Sequence, residues 1–171
     1  MHSKTRISLV LGGARSGKSS YAERLITALP PPWVYYATAE AFDNEMRERI
    51  AHHRARRGQG WQTAEEPRDI APLIQSSTSP MLVDCLTLWL TNLMLAQRNI
   101  EAETAKLLAA ARAAHAPIVF VSNEVGLGIV PENALAREFR DSAGRLNQAL
   151  AAIANRVVFM IAGLPMVLKD E

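Results

Sequence analysis

The sequence predicts an α/β fold: a mostly parallel sheet with helices on both faces, in a single domain over residues 1–171. Three observations lead there. Short apolar runs recur along the chain, namely ISLVL (7–11), WVYYAT (33–38), PMLVDC (80–85), PIVFVSN (117–123) and RVVFMIAGLP (156–165). Stretches of helical composition separate them. The runs are mostly solidly apolar rather than alternating, which is the pattern of strands buried on both faces, as in a parallel sheet.

The elements follow in order. ISLVL ends at two glycines and reads as a fully buried strand. A helix is expected through GKSSYAERLITAL, stopped by Pro30, Pro31 and Pro32, none of which can continue it. WVYYAT is the second strand, and a helix over 41–57 ends near Gly58. GQGWQTAEEP (58–67) reads as polar and turn-like, with Trp61 either filling core or packing beside a ligand, and a short helix over 69–75 follows. PMLVDC is the third strand. Helices over 86–97 and 100–114 lead to PIVFVSN, a glycine-punctuated loop VGLGIVPEN, a long helix over 132–154, and RVVFMIAGLP as the closing strand.

Composition narrows the function. The 49% apolar and 21% charged content is that of a folded globular domain rather than a disordered chain. Lysine and arginine exceed aspartate and glutamate by only 19 to 17, too small a bias to imply a polyanionic partner. Cys85 is alone, which excludes an intramolecular disulfide and suits a buried thiol in a reducing compartment. The apolar stretch near the N-terminus is short and runs into a glycine loop, so it is read as neither a signal peptide nor a membrane span. The expected location is cytoplasmic.

GGARSGKS (12–19) fits the spacing G-x-x-x-x-G-K-[ST], after an expected strand and opening an expected helix. Glycines let backbone N–H groups turn inward around phosphate, and the helix adds the positive end of its dipole. Lys18 is expected to reach the β- and γ-phosphates and Ser19 to ligate Mg²⁺. With this motif the expected fold is a P-loop NTPase of RecA-like type. Such enzymes hold the metal through a second acid at a strand end, and Asp84 in MLVDC is the acid available.

RERIAHHRARRG (47–58) places His52 and His53 among five arginines. Adjacent helical residues point about 100° apart, so the pair cannot face one metal together. Phe42, Met46, Ile50, His53 and Arg57 fall on one helical face with an apolar start, and His53 continues that stripe toward the body of the protein. There it is either a satisfied half-buried histidine or a group that meets the nucleotide. Arg54, Arg56 and Arg57 have no acid C-terminal to them before Glu65, which favours phosphate recognition over a solvated paired face. Asn123 and Glu124, at a strand end, either line the site or belong to a structural turn capped by Glu132 or Asn133.

These residues together carry a family resemblance. GGARSGKS, EMRERIAHHRARRG, WQTAEEP, VDCLTLWLTNLM and VSNEVGLGIVPENALAREFRDSAGRLNQALA resemble the bifunctional adenosylcobinamide kinase/adenosylcobinamide-phosphate guanylyltransferase family of cobalamin biosynthesis. The likeness runs nearly end to end and is weakest over 98–115 and in the last residues. It implies phosphorylation of adenosylcobinamide by ATP or GTP. Transfer of GMP from GTP to adenosylcobinamide phosphate, through a guanylylated histidine, then gives adenosylcobinamide-GDP. Carried onto this chain, the covalent residue is His53, with Lys18 as the second catalytic residue. The nucleotide-contacting positions are Gly12, Gly13, Ala14, Arg15, Ser16, Gly17, Lys18, Ser19, Thr38, Ala39, Glu40, Arg54, Ala55, Arg56, Arg57, Glu65 and Asp84, with Mg²⁺ at Ser19 and, through water, Asp84. The family is oligomeric, which implies a homo-oligomer here.

Two other functions compete with this expectation. One is a simple P-loop small-molecule kinase in which His53 and the arginines form a phosphate lid. The other is a non-enzymatic RecA-like nucleic-acid-binding module, against which the weak net charge and the lack of interleaved aromatics argue.

Overall fold

A computed structural model describes residues 6–40 and 44–171, and within the helix 44–56 the side chains of Glu45, Met46, Arg49, His52, His53 and Arg56 lie outside the described set. The elements are β1 (Ile7–Gly12), α1 (Lys18–Thr27), β2 (Trp33–Ala37), α2 (Asn44–Arg56), β3 (Trp61–Glu65), α3 (Ile70–Ser76) and β4 (Met81–Asp84), followed by α4 (Leu86–Leu95), α5 (Ile100–Arg112), β5 (Ile118–Asn123), α6 (Ala134–Ile153), β6 (Arg156–Ile161) and β7 (Leu164–Asp170). One sheet takes all seven strands in the order β3-β2-β4-β5-β1-β6-β7. Every pairing is parallel except that of β6 with β7.

Successive residues of a strand point to opposite faces, so a sheet covered on both sides needs apolar residues at every position. The two cores divide the strands in that way. Leu9, Leu11, Met81, Val83, Ile118, Phe120 and Val157 face α3, α4, α5 and α6, which contribute Ile74, Trp89, Leu93, Leu107 and Leu150. Val10, Leu82, Val119, Val121 and Val158 face the other way, toward Ala22 and Ile26 of α1. Trp33, Tyr35 and Trp61 pack on this second side, with Trp61 5.5 Å from the Trp33 ring and edge-on to Tyr35 at 6.1 Å.

Two expectations need correction. The stretch 58–67, read as turn, contains β3, which pairs in register with β2 from Trp33↔Trp61 to Ala37↔Glu65. It is an edge strand with one neighbour and half-exposed side chains, so its sequence carries no continuous apolar run. RVVFMIAGLP was read as one closing strand, yet the chain reverses within it at Ala162 (φ 52°) and Gly163 (φ 79°). Two consecutive left-handed residues make the tight turn that suits a two-residue hairpin, and β7 returns antiparallel along β6. The turn also supports the phosphate loop, since the Gly163 N–H donates to the Ser16 carbonyl at 3.0 Å.

Because α1 packs on one face and α6 on the other, β1 and its neighbour β5 send their chains to opposite sides of the sheet. A crevice opens at such a switch point, beyond the carboxyl ends of the strands. The register aligns those ends: Ala37 lies beside Asp84, Asp84 beside Val121, and Gly12 beside Asn123. No helix among the described residues is long and apolar enough to cross a membrane.

Candidate nucleotide-binding and catalytic site

The loop between β1 and α1 forms the floor of the site. Gly17 precedes α1 with φ 91°, a left-handed conformation that glycine adopts without strain, and the first turn of α1 carries no acidic residue to offset its dipole. Gly12 sits where a side chain has no room: a Cβ there would lie 2.5 Å from Ser16 Oγ and 2.9 Å from the Met160 carbonyl oxygen. Lys18 Nζ donates to the Gly13 carbonyl at 2.9 Å, closing the loop on itself. Burial lowers the Lys18 pKa, and the nearby Asp84 carboxylate opposes that shift.

A cavity of about 580 Å³ stands over this loop. Its walls come from the loop residues Ala14–Ser19, from Ala37 and Ala39 after β2, from Asp84 and Asn123 at the ends of β4 and β5, and from Ile50 and Arg57 of the α2 region. Five distant stretches of sequence therefore meet in one place. Ile50 and Arg57, the two members of the expected inward stripe whose side chains are described, both line the cavity. The side chains of His53, Arg56 and Met46, and residue Phe42 altogether, lie outside the described residues.

The remaining nucleotide-contact candidates occupy varied positions. Thr38 is fully buried, its hydroxyl donating to the Cys85 carbonyl at 2.6 Å and accepting from the Cys85 N–H at 2.9 Å. It ties the ends of β2 and β4 together and does not line the cavity. Glu40 pairs with Arg68 at 3.0 Å, and Arg54 reaches Glu65 at 3.7 Å with both side chains largely exposed. The exposed Arg54–Glu65 pair contributes little to stability, so both of its groups are free to rearrange around a ligand, whereas the Glu40–Arg68 pair is half-buried. Ala55 is exposed on α2. Asn123 lines the cavity, whereas Glu124 accepts from the Gly126 N–H inside its own loop and Asn133 caps α6 through the Leu135 and Ala136 amides.

The structure adds residues that sequence reasoning missed. Tyr35 donates its hydroxyl to Asp84 Oδ2 at 2.9 Å, and the Arg57 guanidinium carbon lies 3.5 Å from the centre of the Tyr35 ring. Among the described residues, Arg57 Nε and Nη1 are buried with no hydrogen-bond partner, and its Nη2 makes a single 3.5 Å contact with Thr63 Oγ1. Unsatisfied guanidinium donors beside the loop are chemically suited to an anionic acceptor. Asn92, almost wholly buried, donates to the Thr38 carbonyl at 2.7 Å and the Pro67 carbonyl at 3.0 Å, fixing the segments after β2 and β3 on α4. The alternation within WVYYAT does not tell which tyrosine turns toward the site, and no local pattern marks Asn92.

A magnesium ion suits the donors present. Ser19 and Asp84 both line the cavity, and among the described residues Asp84 accepts a side-chain hydrogen bond at Oδ2 alone. No group of three or more His, Cys, Asp or Glu side chains that could cage a metal occurs among the described residues. One hydroxyl and one carboxylate match a small, hard cation that keeps its waters and takes further ligands from phosphates.

Cys85 touches the cavity but is only 7% exposed, and burial together with the neighbouring Asp84 pushes its thiol up to about 11. The nucleophilic form is the thiolate, so Cys85 is silent near neutral pH. A disulfide reagent such as DTNB is expected to leave the folded protein unmodified at pH 7.5 and to titrate one thiol after denaturation; rapid reaction of the native protein contradicts this.

A family model described as cobinamide kinase / cobinamide phosphate guanyltransferase matches residues 8–168. The chain is 49% identical over 168 residues to a Pseudomonas aeruginosa protein named bifunctional adenosylcobalamin biosynthesis protein CobP, covering 95% of this chain and 97% of that one. It is 44% identical to the Salmonella typhimurium protein named bifunctional adenosylcobalamin biosynthesis protein CobU, covering 94% of this chain and 98% of that one. The Escherichia coli protein of the same name is 42% identical at the same coverage. Among solved structures, the VirB11 ATPase of the Brucella suis type IV secretion system superposes with a TM-score of 0.50 at 14% identity, over 96% of this chain and 47% of that one. A Pyrococcus horikoshii protein gives the same TM-score at 10% identity, over 96% of this chain and 86% of that one. These last two likenesses concern the fold alone.

Proposed function

Since the chain belongs to the cobinamide kinase / cobinamide phosphate guanyltransferase family, we propose that it phosphorylates adenosylcobinamide with ATP or GTP and then transfers GMP from GTP to the product. The observation that carries this reading is the convergence of Lys18, Asp84, Arg57 and the α2 segment on one cavity above a phosphate loop.

In the kinase step the substrate hydroxyl oxygen attacks the γ-phosphorus, the nucleoside diphosphate leaves, and the hydroxyl proton is released. Backbone N–H groups of residues 13–18, the α1 dipole and Lys18 stabilise charge on the transferring phosphate. In the second step an imidazole nitrogen of His53 attacks the α-phosphorus of GTP, forming an N–P bond and expelling pyrophosphate. A phosphate oxygen of adenosylcobinamide phosphate then attacks the same phosphorus, forming the new P–O–P link and releasing the histidine. Residue 53 follows Ile50 by three positions and precedes Arg57 by four, the spacings of one helical face, and both of those residues reach the cavity. That spacing supports His53 over His52.

Arg57, with Arg54 and Arg56 on the same segment, offsets the charge of the triphosphate and of the departing pyrophosphate. Ser19 and, through water, Asp84 would hold Mg²⁺, which when bound would neutralise charge on the phosphates. A cytoplasmic location and a homo-oligomer belong to the same reading. The oligomer is supported by Leu127 (82% exposed), Ile129 (97%) and Val130 (61%), which give the loop after β5 an apolar surface that a second copy can cover. Light scattering of a purified sample at the monomer mass contradicts that part.

The function is tested by incubating purified protein with adenosylcobinamide and GTP and identifying products by mass spectrometry. Adenosylcobinamide phosphate followed by adenosylcobinamide-GDP and pyrophosphate is expected. Phosphorylated product alone would reduce the protein to a simple kinase, and no product would overturn both activities.

A further inference from the structure

We propose that Tyr35 is a positioning residue for the whole site, fixing Asp84 through its hydroxyl and Arg57 through its ring. The proposal rests on the nucleotide-binding reading above and assigns a role to a side chain outside the phosphate loop and the arginine segment.

Three observations support it. Tyr35 is 5% exposed, and β2 delivers it to the same cavity as Lys18 and Asp84. Its hydroxyl donates to Asp84 Oδ2 at 2.9 Å, so one carboxylate oxygen is held and the carboxylate plane is set. Its ring carries the Arg57 guanidinium at 3.5 Å, inside the range at which a cation is attracted by the negative face of an aromatic. Because, among the described residues, Arg57 Nε and Nη1 have no hydrogen-bond partner and Nη2 has a single 3.5 Å contact, the ring is the main described support that orients the guanidinium. Trp61, edge-on to Tyr35, in turn restrains the ring.

The two functions of the side chain are separable. A phenylalanine keeps the ring and the support of Arg57 but releases Asp84. A leucine removes both. Since Asp84 faces the metal and Arg57 the phosphates, the two variants are predicted to fail differently, which a residue that merely fills core would not produce.

The experiment titrates Mn²⁺, as a paramagnetic stand-in for Mg²⁺, into protein saturated with the β,γ-imido analogue of GTP, following bound metal by electron paramagnetic resonance. Analogue affinity is measured separately by calorimetry in EDTA, and thermal midpoints are recorded for all samples. Tyr35→Phe is expected to weaken Mn²⁺ binding about tenfold, the effect of losing a hydrogen bond to a charged group, while keeping wild-type analogue affinity in EDTA. Tyr35→Leu is expected to weaken Mn²⁺ to the same degree and, in addition, to weaken the analogue by about threefold to tenfold through Arg57. Wild-type Mn²⁺ affinity in Tyr35→Phe overturns the proposal, as does equal loss of both ligands in the two variants accompanied by equal falls in thermal midpoint. Failure of the wild-type protein to bind the analogue overturns instead the nucleotide-binding reading beneath it.

Discussion

Replacing Lys18 with alanine is expected to abolish nucleotide-dependent turnover, lowering the kinase rate by at least about 10²–10³-fold, the range for removing one charge-stabilising donor from a pre-organised site. Lys18 is the first residue of α1 and lies against the loop, with its ammonium 2.9 Å from the Gly13 carbonyl. A phosphate entering the cavity offers that ammonium a charged acceptor in place of a neutral one, so the interaction strengthens as the negative charge approaches. Alanine is a good helix former at this position, and the thermal midpoint is expected to change little beside the loss of activity. The variant also removes a cation that interacts electrostatically with Asp84, which leaves the site less favourable to an anionic ligand. Burial holds the lysine pKa below its ordinary 10.5, and only the protonated form can serve. Nucleotide affinity in the wild type is therefore expected to fall with rising pH before 10.5 is reached. Near-normal turnover of Lys18→Ala overturns the assignment of the loop.

The second large effect falls on one half-reaction only. His53→Ala is expected to remove GMP transfer, by a factor on the order of 10⁴ or more, as for other covalent nucleophiles, while leaving phosphorylation of adenosylcobinamide close to wild type. The separation follows from the roles proposed above, in which the kinase step relies on the phosphate loop, Lys18 and Asp84, which come from β1, α1 and β4 rather than from α2. His52→Ala, one residue and about 100° away around the helix, is expected to retain most of the transfer. Accumulation of adenosylcobinamide phosphate by His53→Ala, measured against time, is the signature. Equal loss of both steps would place His53 in support of the fold or of a shared binding surface.

Legibility differed among the elements for physical reasons. β1, β4 and β5 are buried on both faces, so burial wrote itself into them as unbroken apolar runs. The phosphate loop is equally plain, because its backbone geometry restricts Gly12 and Gly17 and its chemistry needs Lys18. β3 was hidden because an edge strand buries only part of each side chain. β7 was hidden because its partnership with β6 depends on the turn at Ala162 and Gly163, and its Leu164, Met166 and Leu168 are left exposed rather than placed in a core. At the site, Lys18, Ser19, Asp84 and Arg57, chosen for charge or motif, line one cavity, while Glu40, Arg54 and Glu65 do not. Residues that matter through three-dimensional contact were not legible: Tyr35 matters for what lies above and beside its ring, and Asn92 for the two carbonyls it joins. Thr38 shows the opposite limit, since the family resemblance implied ligand contact there while its hydroxyl is committed to Cys85.

The central claim is that this chain carries GMP on His53 between two displacements. It is tested most directly by incubating the protein with GTP labelled at the α-phosphate, removing free nucleotide, and mapping the protein-bound label by mass spectrometry. A phosphoramidate on histidine predicts a label that is lost in acid, stable in base, located on residue 53, absent from His53→Ala, and discharged by adenosylcobinamide phosphate with formation of adenosylcobinamide-GDP. A wild-type protein that turns over GTP yet never acquires the label, or a label that persists unchanged in His53→Ala, would contradict the account.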